Sequence, residues 1–414
     1  MSYTFIHNGT LIDGRGGEPI TKAAILLENN QIKAVGAQAA LPYPEGKVTK
    51  IDAQGGTILP GFIDTHVHIG FEIGDLRTML GTPFSLNFYK AIKYMKNTLN
   101  AGITTVRDAG GADLGMKQAV EQGLVRGPRM QISVTVLSIT GGHGDGWQQS
   151  GTNVWFFADH PGRPNGIADG VDQVRKKVRE ILRAGADIIK ICSTGGVLSP
   201  TDHPEFTQFS PDELDAIVQE AAFRRGTKVM AHAQGLEGIK NAVRAGIHSI
   251  EHGIYLDDEV IEMMITRGTY LVPTLLAPLA VLEAGEKSGT MPDYALKKSR
   301  DVFEAHKDSI ARAYRAGVKI AMGTDAGVMA HGTNLRELGL MNDVGMSPME
   351  TIVATTKVAA ECLEWDDRLG TLEAGKLADV IVTRTNPLKN LHSLENTDNI
   401  VLVIKDGIVE KNIL

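Results

Sequence analysis

Two histidines stand one residue apart in the stretch PGFIDTHVHIG, at His66 and His68. The stretch is otherwise mostly apolar and reads as a buried strand. Side chains two apart on a strand leave the same face, so both imidazoles project together. A single strand histidine is commonly a structural hydrogen-bonder. A pair at this spacing, preceded by Asp64, points instead to metal ligation. Four further residues close other apolar runs at a matching depth: Lys190 in ADIIKICS, His232 in VMAHAQ, His252 in SIEHG and Asp325 in MGTDAG. Lys190 is the odd member. A lysine in an apolar strand is costly to bury as a cation, so either an acid neutralises it or its charge is chemically removed.

Strands must hold these residues in a common place. The runs TILPGFIDTHVH, ITTVRDAG, RMQISVTV, ADIIKICSTGG, TKVMAHAQG, IHSIEHG, TYLVPTLLA and VKIAMGTDAG supply eight. Helix-like segments alternate with them, among them GVDQVRKKVREILRAG and SPDELDAIVQEAAFRRG. Ser210-Pro211 with Glu213 predicts a capping box at the start of the second. Eight β/α units over roughly 300 residues predict a (β/α)8 barrel, an α/β fold whose strand C-termini form the active-site face.

The two ends of the chain differ from this middle. Residues 1–58 alternate as strands, with Asn8-Gly9 and Asn29-Asn30 as hairpin turns. Residues 368–414 behave alike, with LADVIVTRTNP, then NIVLVIKDGIVE turning at Asp406-Gly407. Both ends are expected to pair into one small β-sandwich domain beside a barrel of residues 59–367. Two connections are long enough to be lids or binding loops. One spans residues 141–169 and is rich in glycine and aromatics, including Trp147, Trp155, Phe156 and Phe157; the other is LAPLAVLEAGEKSGTMPDY.

Composition removes several functions. The net charge is -7 and the sequence pI about 6.0, so the basic footprint of a nucleic-acid partner is missing. No apolar run approaches the roughly 18 residues of a membrane span. The opening MSYTFIHNGTLIDG lacks the basic-then-apolar pattern of a secretory signal, which predicts a cytoplasmic protein. Cys192 and Cys362 are too few for a disulfide framework. Cys192, two residues beyond Lys190, has no evident base to make it a nucleophile, which disfavours a triad mechanism.

The set GFIDTHVH, IIKIC, VMAHA, IEHG and GTDAG resembles the amidohydrolase superfamily, in particular its imidazolonepropionase-like and prolidase-like metallohydrolases, the branch of the Xaa-Pro and Xaa-Arg dipeptidases and of ochratoxinase-type enzymes. The resemblance covers nearly the whole chain. It implies a binuclear centre of two divalent ions, zinc being expected. His66, His68 and Asp325 would hold one ion and His232 and His252 the other, with Lys190 carbamylated by carbon dioxide and bridging both. A bridging hydroxide would attack an amide carbonyl, and Asp325 would carry its proton to the leaving amine. The resemblance further places His143, in TGGHGDG, against the substrate carbonyl or carboxylate. It places Tyr255, in EHGIYLDD, against a substrate carboxylate. His331, in AGVMAHGTN, is expected near the pocket mouth. Asp108, in TTVRDAGG, is read as structural.

The function expected is hydrolysis of the amide bond of a dipeptide or an N-acyl or aryl-acyl amino acid. The alternative keeps the centre and changes the bond to a cyclic amide, a carbamate or an ester, including xenobiotic or mycotoxin amides. A non-catalytic relative would have lost ligands, and none is lost here. A mononuclear deaminase would not need the strand lysine. The partners expected are a small-molecule substrate and further copies of the chain in a homo-oligomer.

Overall fold

The structure, a computed structural model, describes residues 2–74, 76–154, 159–288 and 291–414. Five strands open the chain: β1 (Tyr3–Leu11), β2 (Ile20–Glu28), β3 (Gln31–Ala37), β4 (Val48–Asp52) and β5 (Thr57–Pro60). Eight parallel strands follow: β6 (Phe62–Val67), β7 (Ile103–Asp108), β8 (Arg129–Ile132), β9 (Val136–Leu137), β10 (Ile189–Cys192), β11 (Val229–Ala233), β12 (Ser249–His252) and β13 (Tyr270–Val272). Three more close the chain: β14 (Val380–Thr383), β15 (Ile400–Lys405) and β16 (Ile408–Asn412).

The two chain ends share one mixed sheet in the order β16-β15-β14-β5-β1-β2-β3, with β4 also paired to β1. Its apolar residues, among them Ile6, Ile25, Ile58, Val380 and Leu402, form a core cluster of their own. Asn29-Asn30 and Asp406-Gly407 turn between neighbouring antiparallel strands as expected. Asn8-Gly9 does not. It lies inside β1, where the register slips against β2 and Asn8 takes φ of 60°. This bulge lets β1 leave β4, its partner over residues 3–7, and meet β5 at Thr10 and Leu11.

The parallel strands form a three-stranded sheet, β6-β7-β8, and a five-stranded one, β13-β12-β11-β10-β9. The break falls inside the single expected run RMQISVTV, at Val134, whose φ of 67° interrupts the pleat. The eighth expected run, VKIAMGTDAG, forms no strand of its own. It makes isolated parallel bridges, Leu271 to Ile320 and Val67 to Ala326. Its backbone nevertheless bonds both neighbours: Ala321 N–H to Leu271 O on β13, and Asp325 N–H to His66 O on β6.

Helices alternate with the parallel strands for a plain reason of pattern. In Val171–Arg183 the apolar Val174, Val178, Ile181 and Leu182 share one face and are buried. Pro211–Ala222 begins with the expected capping box of Ser210 and Glu213. The stretch after β13, expected as a long loop, is instead helical over Leu276–Ser288, with Leu276, Ala277, Ala280 and Val281 buried. Its alanines and leucines favour helix, and burial of that face decides the matter. The other long connection forms no helix or strand over the described part of 141–169, only turns, bends and isolated bridges; Trp155, Phe156 and Phe157 lie outside the described residues. Among the described residues no helix is long and apolar enough to cross a membrane.

Candidate metal centre and substrate cavity

The C-terminal ends of the parallel strands open into one cavity. Its lining includes His66, His68, Lys190, His232, His252, Asp325 and His143. The structure therefore brings together all six residues proposed as metal ligands. Alternation along β6 turns Asp64, His66 and His68 to one side. Asp325 comes alongside because Gly323 has no side chain: a Cβ there would lie 3.0 Å from His66 Cβ and 2.4 Å from Val272 Cγ1.

Each of the four histidines commits one ring nitrogen to a protein partner. His66 Nδ1 lies 2.7 Å from Glu251 Oε2, and His68 Nδ1 2.7 Å from the Gly110 carbonyl. His232 Nε2 lies 3.0 Å from the Gly195 carbonyl, and His252 Nδ1 2.7 Å from Thr274 Oγ1. Such partners fix the tautomer and aim the second nitrogen, as is usual for metal-bound imidazoles. His66 Nε2 and His68 Nε2 approach Asp325 Oδ1 at 3.4 and 3.1 Å. Ligand atoms of these three residues all lie within 4.8 Å of one another. His252 lies between His66 and His232, its ring centroid 5.2 Å from that of His66 and 4.6 Å, edge-on, from that of His232. Lys190 Nζ lies 3.4 Å from His66 Nε2.

The electrostatics suit cation binding. Burial drives the pKa of His66, His232 and His252 well down, so they are neutral and offer lone pairs. Burial lowers Lys190 too. Burial pushes Asp325 up, but the His68 hydrogen bond and the nearby positive groups outweigh it and the net shift is downward. The Cys192 thiol is pushed up to about 12 by burial, which leaves it protonated and unreactive.

Two of the proposed ligand positions bend the backbone. Glu251 pairs across from His232 and reaches the interior, so strict alternation would turn His252 away. A φ of 74° at His252 redirects the strand end, and Asp325 has a φ of 63°. Left-handed backbone at non-glycine residues costs energy and gathers at functional sites. His306 braces the first bend, its Nε2 2.9 Å from the His252 carbonyl.

The sequence reading missed a buried support. Glu251 takes a 2.9 Å bond from Arg107 Nη2 besides its contact with His66, and both residues are fully buried. Asp64 accepts from Thr324 Oγ1 at 2.7 Å and Asn334 Nδ2 at 2.9 Å. Burial pushes its carboxyl up to about 6 against these bonds. The IEHG motif contained Glu251, but its partner Arg107 is distant in sequence and nothing local linked them.

His143 ends the described polar set. Its ring stacks on His232 at 4.2 Å and 16°, and its Nδ1 lies 2.8 Å from Ser199 Oγ. Ser199 in turn donates to Asp202. Asp108 is a buried structural acceptor, bonded to the backbone N–H groups of Ile69, Gly110 and Ala112. Tyr255 is half-buried and packs against the cluster of Val197, Ile254 and Val281, just behind the cavity lining. His331 is placed differently from the expected pocket mouth. It is buried, stacked on Tyr94, with Nε2 2.9 Å from the Phe71 carbonyl and 3.2 Å from that of His68. It clamps the end of β6 from outside the cavity lining. The remaining lining is largely apolar: Phe71, Ile73, Val197, Leu198, Val281 and Val328 stand out.

A family model described as the amidohydrolase family matches residues 57–409. The ochratoxinase of Aspergillus niger is 34% identical over 417 aligned positions, which cover 98% of this chain and 86% of that protein. The crystal structure of a Xaa-Pro dipeptidase with bound methionine in the active site superposes with a TM-score of 0.88 at 35% identity, over 98% of this chain and 99% of that one. A prolidase complexed with N-methylphosphonate-L-proline superposes with a TM-score of 0.90 at 34% identity, over 99% and 100%.

Proposed function

Because this chain belongs to the amidohydrolase family, metal-dependent hydrolases acting on C–N bonds, we propose that it cleaves the amide bond of a dipeptide or of an N-acyl or aryl-acyl amino acid at a two-cation centre. One observation carries this reading. Four histidines, three of them buried and His68 nearly so, each hold an outer partner with one ring nitrogen, and beside them converge Asp325 and a buried lysine. His66, His68 and Asp325 would hold one ion, and His232 and His252 the other, zinc being the proposed metal. Burial of Lys190 favours its neutral amine, the form that combines with carbon dioxide, and the resulting carbamate would offer the ions an anionic oxygen donor. The reading counts β8 and β9 as the two halves of one strand and the run 318–327 as the eighth, making a closed eight-stranded barrel, with the shared terminal sheet as a separate small domain. Backbone bonds from that run to both β13 and β6 support it.

Divalent ions held there would supply a nucleophile from water at neutral pH and would polarise the scissile carbonyl. The chain does the rest. Asp325, at the mouth of the His66–His68 pair, takes the proton of the attacking water and returns it to the departing amine. His143, fixed by Ser199 and by its stack on His232, meets the substrate carbonyl or carboxylate with Nε2. Tyr255, whose phenol burial keeps protonated, is the proposed donor to a substrate carboxylate. The apolar lining holds the acyl side and keeps bulk water from the reacting carbonyl.

A second reading changes the bond to a cyclic amide, a carbamate, an ester or a xenobiotic amide. The apolar lining favours a bulky, apolar acyl group in that case, and the 34% identity to a protein named ochratoxinase favours a mycotoxin amide. The test is amine release from dipeptides, N-acyl amino acids and aryl amides by zinc-loaded protein, before and after chelation. Turnover of at least one class, abolished by metal removal and restored by zinc, is the expected result. Full activity in protein verified as metal-free would overturn the proposal.

A further inference from the structure

The segment after β10 forms one wall of the cavity. Val197 and Leu198 line it, and Ser199 holds His143. Among the described residues, 196–202 makes no backbone–backbone hydrogen bond; its internal ties run through side chains, the Gly196 N–H donating to Asp202 Oδ1 at 3.2 Å and Ser199 Oγ to the same carboxylate. Its carbonyls are met from elsewhere. Lys298, on the helix Asp293–Ala316, donates to the carbonyls of Gly196 at 3.1 Å, Ser199 at 2.8 Å and Asp202 at 2.6 Å. An ammonium has three N–H groups, and all three are taken by this one loop. One turn earlier, Tyr294 Oη donates to the Leu198 carbonyl at 3.1 Å. The Lys298 side chain is only 11% exposed, and Asp202 Oδ1 lies 3.9 Å from its charge.

The helix that carries Lys298 is itself tied to the strand end of the metal centre, through His306 to the His252 carbonyl and Ser309 Oγ to the Ile254 carbonyl at 2.7 Å. The loop's grip on His143 is close. A Cβ on Gly196 would lie 2.2 to 2.8 Å from three atoms of the His143 ring, whose other face rests on His232. His143 is thus held between the Gly196 backbone and His232.

We propose that Lys298 is a positioning residue for substrate binding: it buckles the 196–202 loop onto the helix, so that Val197 and Leu198 form the cavity wall and Ser199 and Gly196 fix the His143 ring. A planar guanidinium cannot place three donors on three carbonyls around one point, so arginine is a poor substitute. The inference rests on the amide-hydrolase reading only for its kinetic consequence, and the experiment separates the two.

Hydrogen exchange and kinetics are to be compared in the metal-loaded wild type, Lys298→Met and Lys298→Arg. Both variants are expected to exchange the amides of 196–202 faster, with the strands carrying the ligands unchanged and metal content per chain equal to wild type. On whichever amide the wild type hydrolyses, KM is expected to rise about tenfold with kcat within about threefold, the signature of lost ground-state and transition-state binding alike. If Lys298→Met does not fold, Gly196→Ala separates the loop from His143 with Lys298 intact and is expected to give the same KM rise. Unchanged exchange in the loop would overturn the proposal, and so would faster exchange with an unchanged KM. A wild type that releases no amine from any amide would sink the proposed function, while loop exchange would still decide whether Lys298 is the buckle.

Discussion

Replacing Lys190 by alanine is expected to strip most bound metal from the centre and to cut turnover by more than about 100-fold, since even residues that merely orient a metal ligand are worth roughly 10–100-fold. Lys190 is 3% exposed, and among the described residues no carboxylate lies within ion-pair distance of its Nζ; His66 Nε2 lies 3.4 Å away. An ammonium there would repel the cations that the histidines are proposed to hold. A carbamate reverses the sign of the charge and adds two oxygen ligands. Alanine leaves room for a small carboxylate in the same place, so formate, acetate or propionate is expected to restore part of the metal and part of the activity. The check is metal content and kcat of Lys190→Ala with and without each acid. Wild-type turnover with a full metal complement in the variant would remove Lys190 from the centre.

The second large effect is expected at Glu251. Glu251→Gln keeps the shape and an oxygen for His66 Nδ1 but removes the negative charge shared by His66 and Arg107. Two costs combine. The orientation of His66 weakens, worth roughly 10–100-fold in metal affinity or activity. Arg107, fully buried, loses its counter-charge; breaking a buried pair on one side costs about 3–5 kcal/mol of stability. Chemical denaturation, with metal affinity measured on the same variant, checks both. The expected outcome is a lower unfolding midpoint together with weaker metal binding. Unaltered stability would show that Arg107 is compensated by its other contacts, the Thr65 carbonyl and Cys362 Sγ.

The candidate site was legible where chemistry coincides with strand ends. His66, His68, Lys190, His232, His252 and Asp325 each interrupt an apolar run, and the structure gathers all six at one cavity. Local pattern could show that much, since a polar residue at the end of a buried strand needs a reason. It could not show their partners. Glu251 and Arg107 are 144 residues apart, and the Asp64–Asn334 bond spans 270. His331 was read from its place after the eighth run, yet its ring turns back to clamp carbonyls of residues 68 and 71. Nothing in the spacing of AGVMAHGTN distinguishes those two orientations.

Fold errors had similarly local causes. Asn8-Gly9 carries the chemistry of a tight turn, and the same left-handed preference makes a bulge when both flanks stay paired. The length of LAPLAVLEAGEKSGTMPDY suggests a binding loop; apolar burial of Leu276, Ala280 and Val281 makes most of it helix. The run VKIAMGTDAG has the composition of a strand, but the bend at Asp325 and the side-chain bonds of Thr324 to Asp64 replace part of a regular ladder.

The most direct test of the central claim is the metal and carbamate content of one preparation. The protein is to be produced in zinc-supplemented medium with 13C-bicarbonate, its metal per chain measured by elemental analysis, and its carbamate carbon sought by 13C NMR. The expected result is two zinc ions per chain with one carbamate resonance, which disappears in Lys190→Ala. One ion or none, with no carbamate signal from active wild-type protein, would contradict the two-cation, lysine-bridged centre.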